Sequence, residues 1–211
     1  HPMWITIKTG VTKDGKLKAI QTQVISEGGA YTRMSPLSNF LTGICMTLPY
    51  KLPNFKTEMH CYFTNNPNSA AMRGHGLYHT RFAGDVQMDM IAEELGIDPI
   101  EMKLKNAIEN PKPGKMYETI NKLHLATCGV KECIEKAAEA IRWEEMKKVE
   151  RVRDNKAYGI GLGAGTYLSG TKLSGHNACA AIVRICEDGS VNYITGASDV
   201  GQGSDTVMSA M

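Results

Sequence analysis

The sequence lacks most of the features that mark a function class at a glance. It carries 24 Lys and Arg against 22 Asp and Glu, a formal charge of +2 over 211 residues. A duplex-binding chain concentrates positive charge on one face, and this charge is spread along the chain, so nucleic acid is set aside. No apolar run approaches the roughly 18 residues of a membrane span, which sets membranes aside too. Cysteine is sparse: Cys45, Cys61, Cys128, Cys133, Cys179 and Cys186, with no CxxC pair. A secreted disulfide framework is shorter and denser in cysteine, and a zinc site needs tighter ligand spacing. All six are therefore expected as reduced thiols in a cytoplasmic protein. HExxH and GxSxG are missing, no metal ligands are assigned, and no repeat at solenoid periods is found. The chain opens on His1-Pro2 without a basic-plus-apolar signal segment and stops at Met211, just after a glycine-rich motif. It is expected to be an internal piece of a longer protein.

What is present is ordinary globular composition, 42% apolar and 22% charged. Trp4 to Lys8 alternates as a strand, Asp14-Gly15 signals a hairpin turn, and Leu17 to Glu27 continues as a second strand. Residues 33–47 are expected to be helical, and Phe55 to Phe63 forms another strand before the turn-rich Thr64 to Asn68. The strongest helical period runs from Tyr78 to Leu95: Phe82, Val86, Met90 and Ile91 repeat at helical spacing, as do Met88 and Leu95, and Gly96 closes it. Asp98 is placed to cap a further helix, with Pro99 in its first position and Glu101 completing a capping box. Asn110 to Gly114 is a cluster of helix breakers. A long helix is expected from Gly129 to about Arg151, then strands at Gly159–Tyr167, Ala178–Cys186 and Val191–Thr195.

Three segments stand apart. In Met72-Arg73-Gly74-His75-Gly76, two glycines bracket a histidine at the head of the strongest helix. Glycine lets a backbone approach a ligand closely, a helix N-terminus favours an anion, and arginine offers a planar charged fork. Gly201-Gln202-Gly203 forms a second turn, offering backbone N–H groups and a side-chain amide to a polar ring. It is no phosphate loop, because no Gly-Lys-Ser/Thr follows. Gly159-Ile160-Gly161-Leu162-Gly163 superficially matches a dinucleotide fingerprint, but it continues as Thr166-Tyr167-Leu168 rather than opening a helix. Nucleotide binding is rejected there, and close strand packing is expected instead. His60, His124 and His176 are expected to be structural or solvent-facing.

These segments fall in a familiar series. Lys13-Asp14-Gly15-Lys16-Leu17, Gly28-Gly29-Ala30-Tyr31 and Tyr50-Lys51-Leu52-Pro53-Asn54 come first. Thr64-Asn65-Asn66-Pro67, the Met72–Gly76 turn, Met88-Asp89-Met90-Ile91-Ala92, Leu95-Gly96-Ile97-Asp98-Pro99 and Cys128-Gly129 follow. Asp199-Val200-Gly201-Gln202-Gly203 ends it. In order and spacing the chain resembles an internal fragment of the molybdenum-binding large subunit of the xanthine dehydrogenase/aldehyde oxidase, or molybdenum hydroxylase, family. The resemblance implies an α+β fold of mixed sheets with packed helices. Residues 1–107 would end one molybdopterin-binding domain, 108–124 would be a linker, and 125–211 would begin the next.

The resemblance further implies an oxidoreductase that hydroxylates an aromatic heterocycle or aldehyde with water as oxygen source. Its molybdopterin would pass electrons to iron–sulfur clusters and FAD in partner subunits or domains, and the protein would orient the cofactor. Met72, Arg73 and Gly74, and Gly201, Gln202 and Gly203, are the implied cofactor contacts. His75 stands where the family commonly places Phe to stack on substrate, and Leu41 lies where purine-hydroxylating members carry an arginine. Both are taken as substrate contacts, and xanthine is not the expected substrate. The general-base glutamate is expected outside these residues, so no catalytic residue is assigned. Two alternatives stay open: reductive dehydroxylation like that of 4-hydroxybenzoyl-CoA reductase, and a non-catalytic interaction module retaining the fold. Uncovered apolar faces would favour self-association.

Overall fold

The computed structural model describes residues 2–71, 74–149, 152–153, 155–166, 180–199, 201 and 203–210. The chain divides into two compact units, His1–Tyr167 and Leu168–Met211. In the first, β1 (Met3–Val11) alternates between half-buried and exposed positions along its whole length. A turn closed by the Gly15 N–H on Thr12 O at 2.8 Å leads into the antiparallel β2 (Leu17–Gly29), with Ile5 opposite Val24. In its middle stretch Thr22, Val24 and Ser26 are buried, the period of two that a sheet covered on one face demands. The chain then forms α1 (Ser35–Ile44), with Pro36 in the first turn, and a short 3₁₀ turn at Cys45–Thr47. It returns as β3 (Phe55–Phe63), parallel to β2 with Val24 opposite Met59. A parallel pair requires a crossover; α1 provides it and packs on both strands.

The helix α2 (Leu77–Leu95) lies between two left-handed glycines, Gly76 and Gly96. It buries Leu77, Thr80, Arg81, Asp85, Met88 and Ala92, while Phe82, Val86 and Met90 lie on its open face. The capping motif forms α3 (Pro99–Asn106): the Asp98 carboxylate accepts the Ile100 and Glu101 N–H groups. Leu17, Tyr50, Leu52, Met88, Ala92 and Met102 make the core between hairpin and helices, each large side chain worth about 1.5–3 kcal/mol of burial. Asn106 bolts α3 to the hairpin, accepting from the Leu17 N–H at 2.9 Å and donating to Gly15 O at 2.8 Å. Beyond it, β4 (Tyr117–Glu118) and β5 (His124–Leu125) form a small ribbon.

The long helix expected over 129–151 does not form. The chain makes α4 (Val130–Ala140), turns at the left-handed Arg142 (φ 49°), and makes α5 (Trp143–Met146). The break lets Trp143 bury its indole while Nε1–H donates to Asp98 Oδ2 at 3.0 Å, with Lys147 Nζ 2.9 Å from the same oxygen. Burial works against the Asp98 carboxylate, but its donors outweigh it and hold the group below its ordinary 3.8. A depressed carboxyl contributes stability above the unfolded-state value and loses it as pH falls through the folded value. Asp98→Asn should therefore flatten the fall in stability below about pH 4, read as unfolding midpoints at a series of pH values. Equal pH dependence in both proteins would refute this.

The tiny β6 (Val152–Arg153) and β7 (Lys156–Ala157) pair across Asn155. The strand expected over 159–167 is also corrected: residues 158–166 join no ladder, and Tyr167 lies outside the described residues. Instead the segment runs over α2, with the Ala164 N–H on Asp85 Oδ2 and Gly165 against the Arg81 stem. In the second unit, β8 (Ala181–Ile185) and β9 (Val191–Thr195) form the expected hairpin, and α6 (Ser204–Ala210) follows. Five cysteines (Cys45, Cys61, Cys128, Cys133 and Cys186) are free, and Cys179 and His176 fall outside the described residues. Among the described residues no helix is long and apolar enough to cross a membrane, and no group of three His, Cys, Asp or Glu is placed to hold a metal ion.

Candidate cofactor site

The first glycine turn sits where α2 begins. Met72 and Arg73 lie outside the described residues; Gly74, His75 and Gly76 are described. Gly74 (φ 60°) and Gly76 (φ 82°) both take the left-handed conformation, and the Leu77 N–H closes the turn on Gly74 O at 2.7 Å. Both φ values strain any other residue, and at Gly76 packed backbone also leaves no room for a side chain. A Cβ at Gly74 would lie 2.4 Å from the Tyr78 ring, and one at Gly76 would lie 2.4 Å from the Ser38 backbone oxygen. The turn is thus pressed onto α1, where Thr42 Oγ1 lies 2.9 Å from Gly76 O. Leu41, the neighbour of Thr42, is buried on α1. His75 is half-buried, and its Nε2 is buried without a partner among the described residues. Burial also holds the nearby His79 below its ordinary value.

Behind the turn lies a buried polar network that the sequence pattern did not disclose. Tyr50 donates its hydroxyl to Asp85 Oδ1 at 2.9 Å, while the Ala164 N–H is held by Oδ2 of the same carboxylate. Arg81, one helical turn before Asp85, donates from Nη2 to Cys45 O at 3.0 Å. Burial pushes the Tyr50 hydroxyl well up, and the Asp85 charge adds to it. Burial pulls Arg81 down, with Asp85 partly offsetting it. Burial raises the Cys45 thiol against the opposing charge of Arg81. The only sequence signal was an Arg–Asp pair at i,i+4, which on a surface helix means little. Between α2 and residues 161–166 runs a cleft of about 780 Å³, flanked by Tyr78, Phe82 and Val86.

The second turn belongs to the other unit. Gly201 (φ 108°) and Gly203 (φ 81°) are both left-handed, and Gln202 lies outside the described residues. Asp199 organises the turn, accepting the Gly201 N–H at 2.7 Å and the Asp205 N–H at 3.3 Å; these backbone bonds hold its carboxyl below the ordinary range. Among the described residues nothing approaches within 4 Å of where a Cβ would stand at Gly201 or Gly203, and Ser204 Oγ is buried without a partner. Each turn therefore combines exposed glycine backbone or close backbone approach with one orphaned polar atom, His75 Nε2 or Ser204 Oγ. Such groups fit a polar heterocyclic cofactor, which would supply the missing hydrogen bonds.

The description "molybdopterin cofactor-binding domain" matches the chain twice, over residues 1–107 and over 136–211. The chain belongs to the molybdopterin cofactor-binding domain family. One match holds the Gly74–Gly76 turn and the other the Gly201–Gly203 turn. Over its whole length the chain is 32% identical to the xanthine dehydrogenase molybdenum-binding subunit of Escherichia coli O157:H7, and it spans 28% of that protein. Half of it (51%) is 40% identical to the nicotinate dehydrogenase large molybdopterin subunit of Eubacterium barkeri, covering 25% of that relative. The fold is that of the aldehyde oxidoreductase from Desulfovibrio desulfuricans, with a TM-score of 0.77 and 24% identity over 90% of this chain and 20% of that one. The α+β architecture and the resemblance to xanthine dehydrogenase and aldehyde oxidase molybdenum-binding subunits thus both hold.

Proposed function

We propose that these residues form part of a molybdenum hydroxylase large subunit that oxidises an aromatic heterocycle or an aldehyde, with water as oxygen source. The observation that carries this reading is the pair of molybdopterin cofactor-binding matches, each containing one of the two glycine turns. Residues 1–107 and 125–211 would belong to successive cofactor-binding domains, with 108–124 joining them. Met72, Arg73 and Gly74 would hold the cofactor from the first turn, and Gly201, Gln202 and Gly203 from the second. When bound, molybdopterin supplies the two-electron redox centre. This chain's residues exclude water, orient the group and present His75 and Leu41 toward substrate. Iron–sulfur and flavin partners would carry the electrons away, and the general base would come from elsewhere in the protein.

A buried imidazole nitrogen in place of an aromatic hydrocarbon ring adds a hydrogen-bonding group to a stacking slot. His75→Phe should therefore shift preference among heterocycles more than it shifts stability. Unchanged relative kcat/KM for every turned-over substrate would remove His75 from the pocket. The proposal as a whole is tested by elemental analysis of the purified full-length subunit together with a screen of N-heterocycles and aldehydes. Stoichiometric molybdenum with hydroxylated product is expected; a folded subunit devoid of molybdenum would instead make it an interaction module.

A further inference from the structure

We infer that Thr42 and Thr80 are positioning residues that set the register of the His75 turn against α1, an inference that rests on reading that turn as a cofactor and substrate contact. Both side chains are fully buried. Thr42 Oγ1 lies 2.8 Å from Ser38 O, the carbonyl four residues back on its own helix, and 2.9 Å from Gly76 O on the facing element. Thr80 Oγ1 lies 3.3 Å from Gly76 O, its own carbonyl four residues back, and 2.6 Å from Thr42 O across the joint. A helical threonine ordinarily returns its hydroxyl proton to its own helix. Here each has a second acceptor on the opposite element, and for Thr80 the foreign acceptor is the nearer by 0.7 Å. Thr80 therefore donates to Thr42 O, which leaves Gly76 O open to Thr42, whose hydroxyl lies almost equally near Ser38 O and Gly76 O.

The result is a reciprocal exchange: α2 donates to α1 through Thr80, and α1 donates to the turn through Thr42. The second bond ends on Gly76, the residue immediately after His75, and the first ties the next turn of α2 to the same threonine. The approach is possible because Gly76 has no Cβ to meet Ser38 O. A sliding of α2 along α1 would break both bonds at once. The hydroxyls thus fix where His75, and Gly74 one residue before it, stand relative to the buried Leu41 face of α1. Neither threonine touches a charged group in any of its hydrogen bonds, so the device does not depend on pH.

Hydrogen exchange on the purified full-length enzyme, followed by mass spectrometry, tests this. Thr42→Val and Thr80→Val keep the branched shape and delete only the hydroxyl. Each should speed exchange in a peptide spanning 74–80 by about tenfold, the effect of one net buried hydrogen bond. Peptides from the β2–β3 pair should be unchanged. Thr42→Ser should restore protection, and the molybdenum content should follow the protection of the turn. Unchanged exchange at 74–80 in both valine variants would overturn the inference. So would acceleration spread evenly over the first unit, because that is loss of stability rather than of register. If Thr42→Val fails to fold, Thr80→Val and the serine variant carry the same comparison. Should the wild-type enzyme contain no molybdenum while the turn responds as expected, the positioning stands and the cofactor reading alone falls.

Discussion

Asp85→Ala should destabilise the first unit by about 3–5 kcal/mol, the usual cost of removing one member of a buried charged network. One carboxylate accepts the Tyr50 hydroxyl on Oδ1 and the Ala164 N–H on Oδ2, and it is the carboxylate whose charge offsets that of the buried Arg81. Alanine would leave two buried donors without an acceptor and a cation without its counter-charge. Arg81 already has Nε and Nη1 buried without hydrogen-bond partners among the described residues, so it has little in reserve. Asp85→Asn should lose less, since one amide oxygen can keep one of the two donors. Adding Arg81→Met to Asp85→Ala should recover part of the loss, because the unpaired charge leaves with it. Both tryptophans of the chain, Trp4 and Trp143, lie in the first unit, so their fluorescence in a denaturant titration reports on it. A loss below about 1 kcal/mol for Asp85→Ala would show that the network is solvated like a surface pair.

That network also shows where the sequence stops being legible. The existence of α2 could be read from its period and from Gly96, but which face it buries could not. Phe82, Val86 and Met90, one part of the visible apolar period, lie exposed, while Met88 of the same period is buried together with the polar Arg81 and Asp85. A polar residue is buried when its partners are present, and the partners of Asp85 stand 35 and 79 positions away in the chain. The break after α4 has the same origin. No glycine or proline marks Arg142; the turn is imposed by Trp143 reaching Asp98, 45 residues earlier. The glycine repeat from Gly159 is ambiguous for a related reason. Alternating small residues suit a strand packed on a neighbour, and equally a segment laid across a helix. Local signals fared better. The hairpin turn, the Asp98 cap and the glycines about His75 are each decided within a few residues, and each was found where expected. The residues that hold the His75 turn in place were not, because a buried threonine on α1 carries no mark of the carbonyl it will face 34 positions later.

The glycine at that joint should be the least replaceable residue described in the turn, and Gly76→Ala should both destabilise the chain and strip the enzyme of cofactor. Two costs combine. At φ 82° an L-residue is strained by about 1–2 kcal/mol. The new methyl would also lie 2.4 Å from Ser38 O and 3.0 Å from Thr42 N, which are backbone atoms of a packed helix that cannot swing aside as a side-chain tip would. Relief requires the turn to lift off α1, which carries Gly76 O away from Thr42 and the ring of His75 away from its place. Gly96→Ala separates the two costs. Gly96 has a similar left-handed φ of 64°, yet among the described residues nothing lies within 4 Å of where its Cβ would be, so that variant bears the conformational cost alone. Gly76→Ala should lower the melting temperature several degrees further than Gly96→Ala, at about 2–4 °C per kcal/mol for a chain of this size. Its molybdenum content in the full-length enzyme should collapse, while that of Gly96→Ala stays near wild type. Equal molybdenum in the two variants would mean that the turn at the head of α2 can move without consequence, and that the cofactor is held elsewhere.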